Sequence, residues 1–300
     1  MTQLATPGGG QPAGAAVSSP AAAPLQASPA AWRLLPRRPT FVIGAAILLF
    51  WIVCALFGGS IAPDNPLAQQ LLGTNAAPSA AHWFGTDQLG RDVLSRVITG
   101  ARDILLITPL ATLLGTVLGT ALGLVMGYFG GAFDLIASRV VEAVLALPGV
   151  IIAFLFIVAI GASTGTLIVV IGLIFTPIIA RTVRTAVLAE RHLDYLAAAR
   201  LLGERPAWIM AREILPNVLP AVIVEFTVRL GYAIFSVATL SFLGFGIQPP
   251  TPDWGADIYA NYIVLPAGYW WETLFPALAI ASLVTAINLV ADSIEQVLNS

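Results

Sequence analysis

Apolar residues collect into six long stretches along the chain, separated by shorter polar connections. The stretches cover roughly residues 41–58, 104–128, 140–161, 166–188, 218–245 and 274–291. A helix rises about 1.5 Å per residue, so about 20 mostly apolar residues cross the hydrocarbon core of a bilayer. The pattern therefore predicts an all-α membrane protein with about six transmembrane helices.

The composition favours a membrane protein over a soluble one. Charged residues make up 10% of the chain, hydrophobic residues 58%, and the mean hydropathy is +0.88, whereas charged residues form about a quarter of an ordinary soluble domain. The net charge is -2, which does not indicate the basic patch that nucleic-acid binding needs. Cys54 has no partner for an intrachain disulfide and forms no zinc spacing with His82 and His192, so no metal site is predicted.

The chain is interpreted as three segments. Residues 1–31 are rich in Ala, Pro, Gly and Ser and carry no charge, so a disordered cytoplasmic tail is expected. Residues 32–103 are interpreted as the first transmembrane helix plus an extracytoplasmic loop that ends in an amphipathic interfacial helix. Residues 104–295 form the main transmembrane domain. The interfacial helix would carry Val93, Leu94, Val97 and Ile98 on one side and Arg91, Asp92 and Arg96 on the other.

The distribution of arginines predicts the orientation in the membrane, because basic residues in short loops are retained on the cytoplasmic side. The connection 189–217 carries four arginines, and the connection 246–273 carries none. Residues 59–103, which this orientation would place outside, carry three arginines and favour the opposite orientation. The balance predicts that both termini and the 189–217 loop are cytoplasmic. The four arginines of that loop are Arg191, Arg200, Arg205 and Arg212.

Two patterns inside the spans are candidates for packing or function. In the second span, Gly115, Gly119, Gly123 and Gly127 repeat every four residues, which predicts a groove against which another helix packs closely. A pore-lining or moving interface is the alternative. In the fifth span, Glu225 and Arg229 lie four apart and can form an intramembrane ion pair, either structural or in contact with a substrate.

The 189–217 loop is too long and too regular to be a simple turn. Helix-favouring residues occupy 186–202, Gly203 can end a helix in a left-handed conformation, and Pro206 suits the first turn of a second short helix. Pro216 is expected to interrupt the chain before the next span. The prediction is helix, break, helix.

This loop resembles the cytoplasmic signature of ABC importer permeases, which reads Glu-Ala-Ala, three residues, Gly, and later Leu-Pro. Ala198, Ala199, Gly203, Leu215 and Pro216 match it, and Ala197 stands at the glutamate position. Two further stretches resemble the second, C-type permease of dipeptide, oligopeptide and nickel systems. They are residues 82–102, which begin His-Trp-Phe-Gly-Thr-Asp, and residues 241–255, which begin Ser-Phe-Leu-Gly-Phe-Gly. The resemblance covers about residues 40–295.

The resemblance implies a type I ABC importer permease fold (MetI-like) and import of dipeptides or oligopeptides, or of nickel. Ala197, Ala198, Ala199, Gly203, Leu215 and Pro216 would then couple the permease to its ATPase. The implied partners are a homologous permease, two ATP-binding subunits and an extracytoplasmic substrate-binding protein, in a bacterial or archaeal cytoplasmic (inner) membrane. ATP and Mg would be bound by the partner subunits, with no cofactor in this chain. The chain contains no lysine and therefore no phosphate-binding Gly-x-x-x-x-Gly-Lys loop, so it is not itself expected to be an enzyme.

Three alternatives remain open at this point. An ABC permease for a different solute would share the fold but is disfavoured by the 82–102 and 241–255 stretches. A membrane-embedded enzyme would need a nucleophile and a base at membrane depth, yet His82 and His192 lie outside the spans. A secondary transporter usually shows internal repeats, and no convincing repeat is found.

Overall fold

The computed structural model of the protein describes residues 35–298, so the predicted tail at residues 1–31 lies outside the described residues. Helices make up most of the described chain, and the longest connection between them is residues 62–92. In chain order they are α1 (Pro39–Ile61), α2 (Val93–Phe129), α3 (Gly131–Leu145), α4 (Gly149–Ile160), α5 (Thr164–Glu190), α6 (Asp194–Leu201), α7 (Leu215–Phe242), α8 (Trp254–Asn261) and α9 (Trp271–Leu298). Short 3-10 turns occur at Leu35–Arg37, Leu71–Gly73 and Tyr262–Ala267.

Five helical segments within the described residues are long and apolar enough to cross a membrane. They are α1, α2, α5, the segment Pro206–Phe242 that contains α7, and α9. The bent pair α3 and α4 supplies a sixth span if the two halves are counted as one. The prediction of an all-α membrane protein with about six spans is confirmed.

The third apolar stretch, predicted as a span at 140–161, is not one straight helix but a bent pair that can count as one span. The axes of α3 and α4 differ by 85°, with the break at residues 146–148 and Pro148 at the start of α4. Proline disfavours a helical conformation in the residue before it and lacks the N–H that would continue the backbone ladder. The apolar composition of the stretch did not reveal the bend.

The glycine stripe of α2 lies directly against α5. A Cβ atom built on Gly119 would lie 2.7 Å from Cβ of Ile179, and one built on Gly123 would lie 2.7 Å from the carbonyl oxygen of Ala180. Gly115 and Gly127 have similarly close neighbours on α5. Without side chains at these positions, the two backbones approach closely enough for dispersion contacts along the whole interface.

The expected interfacial helix before the second span does not exist as a separate element. Residues 93–103 form the first turns of α2, which runs without interruption from Val93 to Phe129, so the expected division of the chain at 103/104 falls inside a helix. Arg91 and Arg96, expected on a water-facing side, are buried. They are covered by residues 62–92 and by α8, which together form a cap at this end of the bundle.

Ion pairs and hydrogen bonds hold the cap together. Nε of Arg96 donates to both carboxylate oxygens of Asp257 at 3.0 and 3.1 Å, and Nε1 of Trp254 donates to the carbonyl oxygen of Val97 at 2.8 Å. Asp253 caps the start of α8, where it accepts from the backbone N–H of Ala256 at 2.8 Å. Burial raises the pKa of Asp253 to about 6 and also raises the pKa of Asp257, against the lowering effect of Arg96.

Candidate functional site

The end of the bundle opposite the cap carries a helical hairpin, which we call the α6 hairpin (residues 193–208). It follows α5, which ends at Glu190, and contains α6, Gly203 and a single helical turn at Pro206–Trp208. A π-type segment, Ile209–Ile214, then leads into α7. The predicted break at Gly203 and short helix at Pro206 are present, but the helix predicted through 186–202 is interrupted at residues 191–193, between α5 and α6.

Gly203 is required by the backbone conformation at the end of α6. Its φ is +79°, a region that residues with a Cβ rarely adopt. The N–H of Leu202 donates to the carbonyl of Ala198 at 3.0 Å, and the N–H of Glu204 donates to that of Ala199 at 3.2 Å. No described atom lies within 4 Å of a Cβ built on Gly203, so the glycine serves the turn and not close packing.

The α6 hairpin has one buried side and one exposed apolar side. Leu196 and Ala199 point into the protein and are buried, as are Ile209 and Ile214 after the turn. Ala197 and Ala198 are exposed. The tip exposes four large apolar side chains, of which two are 89% and 82% exposed, and an apolar surface of this kind usually marks a binding interface. These four residues are Leu193, Leu201, Leu202 and Trp208.

A small hydrogen-bond network ties the hairpin to two spans. The hydroxyl of Tyr195 donates to Oε2 of Glu190, at the end of α5, over 2.6 Å. It accepts from Nδ2 of Asn217, in the first turn of α7, at 2.9 Å. Burial, followed by the hydrogen bond with Glu190, raises the pKa of Tyr195 to about 12, so the phenol stays protonated and keeps donating. No local pattern in the sequence predicts this network.

A cation–π contact connects the same hairpin to α2. The guanidinium carbon of Arg200 lies 5.3 Å from the ring centroid of Tyr128, close to the end of α2. Such contacts contribute about 0.5–1 kcal/mol at exposed sites. The hairpin is therefore attached to α2, α5 and α7, while Leu201 and Leu202 at its tip remain largely exposed.

The expectation that Pro216 interrupts the chain before the next span was wrong. The chain is helical from Pro206 to Phe242, and Leu215 and Pro216 are the first two residues of α7. The N–H of Leu215 donates to the carbonyl of Met210, five residues earlier. This widened turn relieves the clash that a proline ring makes with the carbonyl four residues before it in an ordinary helix.

The structure brings Glu225 and Arg229 together on α7. Nε of Arg229 lies 2.9 Å from Oε2 of Glu225, and both side chains are largely buried. The hydroxyl of Thr182 on α5 donates to the other oxygen of Glu225 at 2.8 Å, and the Arg229 guanidinium lies 5.3 Å from the ring centroid of Tyr232. Both charged groups are thus already paired, which lowers the cost of holding them at membrane depth.

One group of potential metal ligands in the cap was not anticipated from the sequence. The ligand atoms of Asp64, His82 and Asp92 all lie within 4.8 Å of one another, with His82 Nδ1 3.0 Å from Oδ1 of Asp92. Oδ2 of Asp92 accepts from both the backbone N–H and the hydroxyl of Ser95, at 2.8 and 2.7 Å. Both oxygens of Asp92 are therefore engaged in capping α2 and holding the cap.

Comparison with known proteins places the chain among transport proteins. The family model described as "binding-protein-dependent transport system inner membrane component" matches residues 119–300. A second model, the N-terminal transmembrane domain of oligopeptide transport permease C, matches residues 29–78.

Curated relatives and a solved structure agree with the family models. The dipeptide transport system permease protein DppC of Bacillus subtilis (strain 168) is 37% identical over 269 residues, which cover 90% of this chain and 84% of the relative. The glutathione transport system permease protein GsiD of Escherichia coli O157:H7 is 36% identical over 274 residues, 89% and 88% of the two chains. A structure of the inward-facing MetNI methionine ABC transporter gives a TM-score of 0.55 at 21% identity, over 68% of this chain and 97% of that chain. The last comparison supports the fold.

Proposed function

This chain belongs to the binding-protein-dependent inner membrane components, the permease subunits of ABC importers, and we propose that it imports short peptides by docking its ATPase on the α6 hairpin. As a member of this family it is a multi-pass protein of the inner membrane. The resemblance to ABC permeases of the peptide family is confirmed, and the MetI-like fold with it. The alternatives of a membrane-embedded enzyme and a secondary transporter are thereby set aside.

The exposed apolar tip of the α6 hairpin carries the docking proposal. Leu201 and Leu202 are 89% and 82% exposed, at the end of the bundle where a water-soluble subunit can reach them. Full burial of a leucine side chain is worth about 1.5–3 kcal/mol. Two such side chains beside the open turn at Gly203 form a compact knob that fits a cleft in the ATPase surface.

The attachments of the hairpin provide a route from the ATPase to the spans. A force on α6 is transmitted to α5 and α7 through Tyr195, Glu190 and Asn217, and to α2 through Arg200 and Tyr128. Packed side chains and hydrogen bonds can carry such coupling where they connect elements that move as rigid bodies. In this proposal Ala197 and Ala198 lie on the contact surface, Ala199 faces inward, and Leu215 and Pro216 begin the span that moves.

The proposed contact depends on shape more than on charge. Ala197 stands where the family signature has a glutamate and is exposed on α6. An exposed ion pair contributes only about 0–1 kcal/mol, which is less than the burial of one leucine. Loss of the acidic group is therefore compatible with docking through the two leucines.

The proposed orientation puts the α6 hairpin and both termini in the cytoplasm and the cap outside. The four arginines of the 189–217 loop support it. The full importer then contains a homologous permease, two ATP-binding subunits that hold ATP and Mg, and an extracytoplasmic binding protein facing the cap. The two permeases would expose a path between them to either side in turn.

Short peptides are the proposed cargo because the relatives named for dipeptides and for glutathione are similarly close to this chain. Nickel is the second cargo to test, because the sequence also resembles the permeases of nickel systems.

Uptake by the reconstituted importer tests the cargo. Proteoliposomes that hold both permeases and both ATPases, with the binding protein added outside, are supplied with a radiolabelled dipeptide and with ATP inside. We expect uptake that needs ATP and this chain, and that excess unlabelled dipeptide or glutathione reduces but nickel does not. Uptake that persists without ATP or without this chain contradicts the proposal, and competition by nickel alone contradicts the peptide assignment.

A further inference from the structure

A long groove on the outside of the bundle runs between α1, α2, α7 and α9. The part of the groove farther from the cap, its lower part, is lined almost entirely by apolar side chains. Its volume of about 560 Å³ lies within the roughly 300–1,000 Å³ range of ligand sites. Leu56 and Leu106 on its rim are exposed, so the groove opens sideways, toward the surrounding bilayer. The apolar lining residues of α1 and α2 include Leu48, Ile52, Leu105 and Leu106.

A second, more polar space of about 410 Å³ continues the groove toward the cap. Ala55, Leu56, Arg102 and Leu106 line both parts, so the two spaces are contiguous. The upper part also contains Asp103 and two threonines from the cap end of the bundle. The whole site is therefore amphipathic, with an apolar channel below and opposite charges above.

Arg102 and Asp103 lie at the depth of the membrane boundary. α2 has 37 residues and is therefore about 55 Å long, well beyond the roughly 30 Å of hydrocarbon. From Ile104 to Phe129 the helix carries no charged residue, so Arg102 and Asp103 are the first charges on leaving the apolar stretch. Gly58 and Gly59, in the last turns of α1, line the same upper space, which agrees with this depth.

Neither charge has a close partner within residues 35–298, and at longer range the two attract each other. Within residues 35–298, neither Arg102 nor Asp103 forms an ion pair or a side-chain hydrogen bond, although seven other ion pairs do form there. Arg102 is exposed and Asp103 is half-buried. Two adjacent, opposite and unpaired charges at the head of an apolar groove are complementary to a ligand that is itself zwitterionic at one end and apolar along its length.

We propose that this groove binds one aminophospholipid of the bilayer, with an acyl chain in the apolar part, the phosphate at Arg102 and the ammonium group at Asp103. The phosphate offers oxygens to which a guanidinium donates charge-assisted hydrogen bonds. The ammonium group donates to the carboxylate. The acyl chain makes dispersion contacts with the apolar lining of the lower part.

Two other occupants fit less well. Residues 1–31 contain no charged side chain and precede α1, whose first residue Pro39 is about 30 Å from Gly59 along the helix. They start at the wrong end of the groove and offer no counter-charge. A transmembrane helix of the partner permease would fill the apolar part, but to match Arg102 and Asp103 it would need an acidic and a basic side chain at this depth, and such residues are rare in transmembrane segments.

Photolabelling of the complete importer tests the proposal. The complex is placed in nanodiscs that contain phosphatidylethanolamine or phosphatidylglycerol with a photoreactive acyl chain, and labelled peptides of this chain are quantified. We expect phosphatidylethanolamine to label the segments around Leu56 and Leu106. Phosphatidylglycerol, which lacks the ammonium group, should label them several-fold less. Equal labelling by both lipids would overturn the headgroup assignment.

Variants locate the lipid within the groove. Arg102→Gln should reduce labelling about tenfold, and Arg102→Lys should restore most of it, since the positive charge is kept. Leu56→Trp should block the groove, while Ile43→Trp, on the opposite, exposed face of α1, should label like the wild type. Unchanged labelling in Arg102→Gln and Leu56→Trp would overturn the proposal. So would efficient crosslinking of Leu56→Cys to the partner permease or to residues 1–34 in place of lipid.

Discussion

Replacing Gly119 by alanine tests the interface between α2 and α5. The new Cβ would lie 2.7 Å from Cβ of Ile179 and 2.8 Å from the carbonyl oxygen of Thr176. Cβ atoms in proteins essentially never approach other atoms so closely. A change of rotamer cannot relieve these contacts, because one atom belongs to the backbone and the other is the branch point of a β-branched side chain. The helices must therefore move apart.

The expected cost is a balance of two terms. Overpacking a tight interface costs about 1–3 kcal/mol. Alanine recovers up to about 1 kcal/mol relative to glycine inside a helix, because it restricts the unfolded chain. With the helix term recovered in full, the net destabilisation expected for Gly119→Ala is about 0–2 kcal/mol.

Gly59→Ala is the matched control. Gly59 is also a helical glycine in a span, but no atom of residues 35–298 lies within 4 Å of a Cβ built there. Only the helix term remains, so this variant should be neutral or up to about 1 kcal/mol more stable. Unfolding of the purified permease in mixed micelles, titrated with a denaturing detergent, measures both. Equal midpoints for the two variants, or a stabilised Gly119→Ala, would refute the close contact between α2 and α5.

Three further predictions concern the α6 hairpin and the cap. Gly203→Val should lower ATP-driven uptake several-fold, because a β-branched residue at φ +79° costs at least about 1–2 kcal/mol. Gly203→Asn should retain more uptake, since asparagine tolerates this conformation. Ala197→Glu should strengthen ATPase binding by no more than about 1 kcal/mol, measured by co-purification, because an exposed ion pair is weak. Asp253 has its pKa raised to about 6 in the folded protein, above its usual value. As the pH rises from about 4 to about 6, the unfolded chain ionises first, so the free energy of unfolding should fall by at most about 3 kcal/mol. Asp253→Asn keeps the helix cap and should remove that fall, as thermal midpoints at pH 4.5 and pH 7 would report.

The spans and the end of α6 could be predicted because local signals determine them. The hydropathy of 20-residue windows places α1, α2, α5, α7 and α9, and Gly203 marks the end of a helix through its own backbone preference. The helical hairpin within the 189–217 loop was predicted for the same reason, whereas its proposed role in ATPase coupling rests on the resemblance to ABC permeases. The bend before Pro148 was missed because a proline in an apolar run permits either a kink or a break, and neighbouring helices decide between them.

The remaining differences arise from contacts distant in the chain. Arg96 was assigned to a water-facing side because its partner Asp257 lies 161 residues away, and no pattern around Arg96 reveals that pairing. The network of Tyr195, Glu190 and Asn217 likewise joins residues whose spacing is not that of one helix. Pro216 was expected to break the chain because proline usually interrupts a helix. No sequence signal indicates the π-type turn that accommodates it.

The most direct test of the central claim measures how the ATPase subunits associate with permease carrying a charge at the tip of the α6 hairpin. Leu202→Glu removes a side chain that is 82% exposed and places a carboxylate in the proposed cleft. Leu72→Glu, on a fully exposed leucine in the cap, controls for a surface charge. We predict at least tenfold weaker ATPase binding and loss of ATP-driven uptake in Leu202→Glu, with both properties unchanged in Leu72→Glu. Wild-type binding and uptake in Leu202→Glu, in a permease that inserts and folds normally, would contradict docking at the α6 hairpin.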